Sequence, residues 1–151
     1  MIPDIFDFSE KIWKPYGVTL TFTPAAADTI SAFFRDTKTS PADYDGVFTG
    51  DLGQVGSDLL LDLLDGEGYD LRPVHHDCGL LLYDRETQDV HAGGSGCGCS
   101  ASVLCASLLP RMEQGRLGRI LFCATGALLS TTSQQQGETI PGICHLVELS
   151  V

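Results

Sequence analysis

The chain has 151 residues, 43% of them hydrophobic, and a formal net charge of −11. That length suits one ordinary domain with its own core. The negative balance excludes nucleic acid as a partner, since phosphate binding needs a basic face, and no apolar run approaches the roughly 18 residues that cross a bilayer.

In chain order, residues 1–22 lack a clean period and contain Pro3, Pro15 and Gly17, which reads as an irregular lead-in. Asp4, Asp7 and Glu10 stand where a secretory signal would carry basic residues and then an apolar core. Thr23-Pro24 forms an N-cap and first-turn pair that launches a helix to about Arg35, with Ile30, Phe33 and Phe34 as its apolar stripe. Ser40-Pro41 breaks the chain. Tyr44 to Thr49 is a short strand ended by Gly50-Asp51-Leu52-Gly53. A second helix, about Val55 to Leu64, sets Leu60, Leu61, Leu63 and Leu64 on a broad buried side, and Gly66 and Gly68 close it. Strand, glycine turn, helix is the opening of an α/β unit.

Gly79 to Tyr83 is an apolar run that periodicity leaves open between strand and helix. The glycine-rich stretch His91 to Ser100 opens onto a third helix, about Ala101 to Glu113. Val103, Leu104, Cys105, Ala106, Leu108 and Leu109 make that helix apolar nearly all round, so cover on several sides is expected. Arg119 to Thr125 reads as a buried strand. Thr125 to Ser130 and Gln134-Gln135-Gln136 read as that strand leaving the sheet into a polar loop. A closing strand turns Ile143, Val147, Leu149 and Val151 to one side, with His145 in register.

The candidate chemistry is sparse. His75-His76-Asp77-Cys78 is the densest metal-capable set, yet adjacent residues of an extended segment point to opposite sides and cannot share one ion. Cys97-Gly98-Cys99 lacks the second cysteine couple of a zinc site. Cys97 or Cys99 at a helix start is either a nucleophile, with His91 nearby, or a small thiol packed in a glycine turn; Cys105 and Cys123 read as core. His145 reads as a satisfied core histidine or as a pocket residue. The glycines are either a close-packing turn or a cradle of free amides for a carboxylate or phosphate. The six cysteines lie in apolar segments rather than a loop-rich scaffold, which points to reduced thiols in an intracellular protein. The acidic residues are dispersed as solvated faces, so a dianionic ligand needs a cation or oriented amides beside it.

Taken together, several segments resemble the stage V sporulation protein AD family. They are Pro24 to Ile30, Thr49-Gly50-Asp51-Leu52 with Val55-Gly56-Ser57, Asp77-Cys78-Gly79-Leu80, and Ala92 to Cys97 with Cys99-Ser100-Ala101. Ala124 to Ser130, and Glu138 with Ile140-Pro141 and His145, complete the set. The resemblance runs in order from about residue 23 to the end and covers the C-terminal half of the family's length.

It implies an α/β, thiolase-like fold: one C-terminal half of a layered pseudo-dimer, with a mixed sheet flanked by helices over 23–151. The half that bears the cysteine at the thiolase nucleophile's position is absent. An apolar face is therefore expected to need a partner, either the N-terminal half or a second copy. The implied role is binding dipicolinic acid (pyridine-2,6-dicarboxylate) as part of its uptake into the developing spore. Uptake proteins at the membrane are the further partners, and the implied location is peripheral to the inner spore membrane. By motif order, the histidine and the asparagine or histidine that assist the cysteine in condensing enzymes fall near Gly50-Asp51 and Gly94-Ser95. Neither place offers an imidazole or an amide, so binding is implied rather than catalysis. The alternatives are an acyltransferase acting on an acyl-thioester and a structural fragment. No resident cofactor or metal is implied, and Ca²⁺ enters only together with dipicolinate. The residues expected at the ligand are Asp51, Asp77, Gly94, Ser95, Gly96, Cys97 and His145. The loop amides from Gly94 to Cys97 would take one carboxylate and His145 the other, with Asp51 or Asp77 tolerable beside them only where Ca²⁺ bridges the charges.

Overall fold

The computed structural model describes residues 25–127, 131–136 and 142–151. The lead-in, the Thr23-Pro24 cap, Leu128 to Ser130 and Glu138 to Pro141 lie outside the described residues. The chain divides into two compact units, Met1–Pro24 with Ala127–Gly142, and Ala25–Gly126 with Ile143–Val151. Of the first, the described helix is Thr131–Gln135 (α6), where the glutamines predict a polar loop.

Helix α1 spans Ala25–Thr37 and buries Ala27, Ile30 and Phe34. The Ser40-Pro41 break is a 3₁₀ turn, Pro41–Asp43, in which the Asp43 carboxylate accepts the Ser40 amide at 2.7 Å and its hydroxyl at 2.9 Å. Strand β1 is Gly46–Thr49 and α2 is Gly53–Gly66. Strand β2 is His75–Asp77, followed at once by the helical turn α3, Cys78–Leu81, which settles the open Gly79 to Tyr83 run. A long helical rod then runs through α4, Cys99–Val103, a π turn, Leu104–Leu108, and α5, Leu109–Glu113. Pro110, which has no N–H to give the preceding turn, is the second residue after the π turn. Strands β3, Arg119–Ala127, and β4, Gly142–Ser150, complete the unit.

The four strands form one sheet in the order β2-β1-β3-β4. Strand β1 pairs in parallel with both β2 and β3, Val47 lying opposite His75 and Leu121. Gly118 meets Val151 at one end of the β3–β4 pair and Gly126 meets Ile143 at the other, so β4 runs antiparallel and the sheet is mixed. Helices α1 and α2 cover one face, packing Ile30, Phe34, Leu60 and Leu64 on Val47, Leu121 and Cys123. The rod covers the other, packing Val103, Leu108 and Met112 on Phe48, Ile120 and Phe122. The fold is α/β, a mixed four-stranded sheet flanked by helices.

Three packing expectations are corrected. Leu63 is exposed, because only Leu60 and Leu64 of α2 turn fully to the sheet. The rod is covered on one side: Val103, Leu108 and Met112 are buried, while Cys105, Ala106 and Leu109 face outward. Cys105 is therefore not core. On β4, Cys144 and Leu146 pack on the α1–α2 side, whereas Ile143 and Val147 are about half exposed at 54% and 49%. They share a face with Leu149, which belongs to the rod's core, so this sheet face extends past its cover. His145, between them, is exposed rather than a core histidine.

Candidate functional site

A parallel β1–α2–β2 unit lies on one side of β1 and β3 lies on the other. Chain connectivity therefore reverses between β1 and β3, and ligands of open α/β sheets bind beyond the carboxyl ends of strands at such a place. At those ends stand Gly50-Asp51 after β1, Thr125 on β3 and Asp77 closing β2.

Asp77 is 1% exposed, and its oxygens take up four hydrogens. Oδ1 accepts the Thr49 hydroxyl at 2.7 Å and the Leu52 amide at 3.0 Å. Oδ2 accepts the Gly53 and Gly79 amides, both at 3.0 Å. One carboxylate thus caps the starts of both α2 and α3, satisfying amides that have no partner within those helices. The Thr49 hydroxyl, spent as a donor on Asp77, accepts from His75 Nε2 at 3.0 Å, which fixes the proton of this imidazole on Nε2. Burial holds His75 neutral, its pKa down at about 4. His76 turns to the opposite face and stacks on Phe48 with ring centroids 5.2 Å apart. The two adjacent histidines diverge, as an extended backbone requires.

Asp51 sits at the β1–β3 crevice. The Thr125 hydroxyl accepts the Gly50 and Asp51 amides, each at 3.1 Å, and donates to Asp51 Oδ1 at 3.2 Å. Asp51 Oδ2 receives the Gly96 amide at 3.1 Å and the Ser95 hydroxyl at 3.4 Å. The glycine loop does present an amide to a carboxylate, and that carboxylate belongs to Asp51. The Gly94 amide is engaged differently, donating to the Gly79 carbonyl at 2.7 Å. The two backbones cross so closely that a Cβ on Gly79 would run into the Gly94 carbonyl oxygen. The glycines therefore serve close packing and carboxylate reception at once.

Asp51, Ser95 and Gly96 are bonded directly, and Asp77 joins Gly94 through Gly79. Cys97 lies exposed in the same loop. His145 is exposed on β4, and among the described residues no hydrogen bond ties it to the loop. Thr125 and Thr49 are not legible as site residues in the sequence; a lone hydroxyl carries no pattern, and only the sheet order places them at the crevice.

The two buried thiols beside this crevice, Cys78 and Cys99, are held protonated. Cys99 is buried and donates its Sγ–H to the Gly50 carbonyl at 3.4 Å; burial, then Asp51 and Asp77, raise its pKa. Burial, with Asp77 next, pushes Cys78 up to about 12. Carboxylates beside a thiol oppose thiolate formation, the reverse of what a nucleophile needs. The site is built to position backbone amides and a carboxylate. Among the described residues, no helix is long and apolar enough to cross a membrane.

Known proteins resemble this chain over most of its length. The family described as stage V sporulation protein AD matches residues 4–150. Stage V sporulation protein AD of Bacillus subtilis (strain 168) is 47% identical over 134 residues, which take up 89% of this chain and 39% of that relative. The chain thus spans about two fifths of the length of the curated relative that it matches.

Proposed function

Because the chain belongs to the stage V sporulation protein AD family, we propose that it serves sporulation by holding dipicolinate where the glycine loop meets Asp51. The observation that carries the reading is the Gly96 amide donating to a carboxylate at the β1–β3 crevice. A loop that receives an internal carboxylate has the donor geometry for an external one. The role is binding, as part of dipicolinate uptake into the developing spore. Raised pKa values at Cys78 and Cys99 favour it over acyl-thioester chemistry.

The ligand is a dianion and Asp51 at the crevice is an acid, so a bridging Ca²⁺ reconciles the charges: it accompanies dipicolinate and is not a resident cofactor. The chain acts as the C-terminal half of a thiolase-like pair, its exposed Leu109, Ile143 and Val147 covered by the N-terminal half or by a second copy. Its place is peripheral to the inner spore membrane, beside the other uptake proteins.

Isothermal titration of dipicolinate, with and without Ca²⁺, into the chain paired with its N-terminal half tests the reading. Saturable heat that grows with Ca²⁺ is the expected result. No heat in either buffer from a folded sample refutes binding, and turnover of an acyl-thioester by the same sample reinstates an enzyme.

A further inference from the structure

Strand β4 forms one edge of the sheet, with β3 as its inner neighbour. The Val151 amide donates to the Gly118 carbonyl at 3.0 Å and Gly126 meets Ile143, so the odd-numbered residues of β4 turn their main-chain groups toward β3. The even-numbered ones, from Cys144 to Ser150, therefore direct N–H and C=O outward. The Cys144 carbonyl receives the Thr29 hydroxyl at 3.4 Å, and among the described residues no bond reaches the outward groups of Leu146 or Glu148. Exposed edges are commonly blunted by proline, by lysine or by an unpaired charge. Residues 142–150 hold neither proline nor lysine, and their one acid, Glu148, is paired with Arg119 of the same chain at 2.9 Å. Ile143, Val147 and Val151 line the rod side of this edge, each about half exposed or more.

We propose that β4 pairs antiparallel with β4 of a second copy of this chain, about a two-fold axis at Val147, and so joins two sheets into one. Such an axis keeps each side chain on its own sheet face, so odd residues pair with odd and even with even. Centred on Val147, the pairing runs the whole length from Ile143 to Val151. On the rod side Val147 meets its own copy, Ile143 meets Val151 and His145 meets Leu149. On the other side Leu146 stands beside Glu148 and Cys144 beside Ser150. Each of these even residues gives and receives one main-chain bond across the axis. Moving the centre to Glu148 would set two carboxylates opposite each other, and moving it to Leu146 would carry the exposed Val151 past Ile143.

The second copy is the occupant because the apolar row is self-complementary: isoleucine and valine recur at equal spacing on either side of Val147. Thr29 touches the Cys144 end of the strand alone, so the axis carries the two α1 helices to opposite ends of the shared edge. This contact is distinct from cover of Leu109 on the rod, and it does not rest on dipicolinate binding.

The test is disulfide trapping in the C97S/C105S chain, which lacks the two exposed thiols. Facing residues between hydrogen-bonded pairs stand about 4.5 Å apart at Cα, within reach of a disulfide. V147C is therefore expected to link to its own copy under mild oxidation, giving a covalent dimer that dithiothreitol reverses. I143C, set roughly 27 Å from its own copy, is not expected to link alone, yet a mixture of I143C and V151C is. V147K places two ammonium groups at the axis and is expected to elute as a monomer with an unchanged melting temperature, since the side chain is half exposed in the lone chain. The proposal is overturned if V147C stays monomeric, or if I143C alone links as readily. It fails equally if L109C links and V147C does not, which would assign the association to the rod.

Discussion

The Asp51 Oδ2 atom accepts the Gly96 amide at 3.1 Å across the mouth of the β1–β3 crevice, so this acid already occupies the donor that a ligand carboxylate would use. Asp51→Asn removes the competing charge and keeps the shape. Without Ca²⁺, D51N is expected to bind dipicolinate about tenfold tighter than the parent, the 1.4 kcal/mol of a modest like-charge contact at a surface. With Ca²⁺ it is expected to bind more weakly, having lost an oxygen ligand. Calorimetry in the two buffers reads this crossover, and a shift of the same sign in both overturns it.

Asp77 has a different task. Its four accepted hydrogens join β1, α2, α3 and, through Gly79, the glycine loop. Asp77→Ala leaves buried amides and the Thr49 hydroxyl without a partner and is expected to cost about 3–4 kcal/mol in urea unfolding. Asp77→Asn, which retains one acceptor oxygen, is expected to cost less.

The half-buried His75 sets a pH dependence. Its folded pKa is about 4, below the ordinary 6.5. Between those values the unfolded chain takes up a proton that the folded chain refuses. Stability is therefore full above about pH 6.5, falls as pH drops toward 4, and levels off below, a loss of about 3 kcal/mol at most from this group. His75→Gln should flatten that part of a stability–pH curve.

The oxygen of Ser57, on α2, is buried without a hydrogen-bond partner among the described residues. Ser57→Ala is expected to be neutral or to stabilise by about 1 kcal/mol, since it removes an unpaired hydroxyl at little cost in volume. A lower urea midpoint would show that the hydroxyl is satisfied in solution.

The open apolar face predicts association. The isolated chain is expected to elute above the mass of a 16.2 kDa monomer in light-scattering chromatography. L109D with V147D should return it to monomer with an unchanged melting temperature, because both positions are exposed in the lone chain.

Much of the framework is legible in residue order. The Ile30 and Phe34 stripe, the glycine turn after β1 and the Ile120–Cys123 run announce their elements because period and punctuation are local signals. Strand β2 is not legible: His75-His76-Asp77 is polar and three residues long, and it becomes a strand only by pairing with β1. Nor does Asp77 reveal itself, since among many acidic residues nothing local separates a buried cap from a solvated one. The outward side of β4 misleads for another reason. Alternation tells which residues share a face, and the extent of the covering rod decides whether that face is buried.

The Gly79–Gly94 crossing divides what lies between it from the rest of the chain. Its two ends are pinned by the Gly94 amide on the Gly79 carbonyl, with a Cβ forbidden at the contact. Between them, Asp84 to Asp89 are exposed and bonded mainly among themselves. Lengthening that excursion leaves the pinned ends, and hence the crevice, in place, and such tips tolerate insertion. A reporter peptide or epitope placed between Glu86 and Thr87 would give a handle on the folded protein that leaves its proposed ligand site untouched.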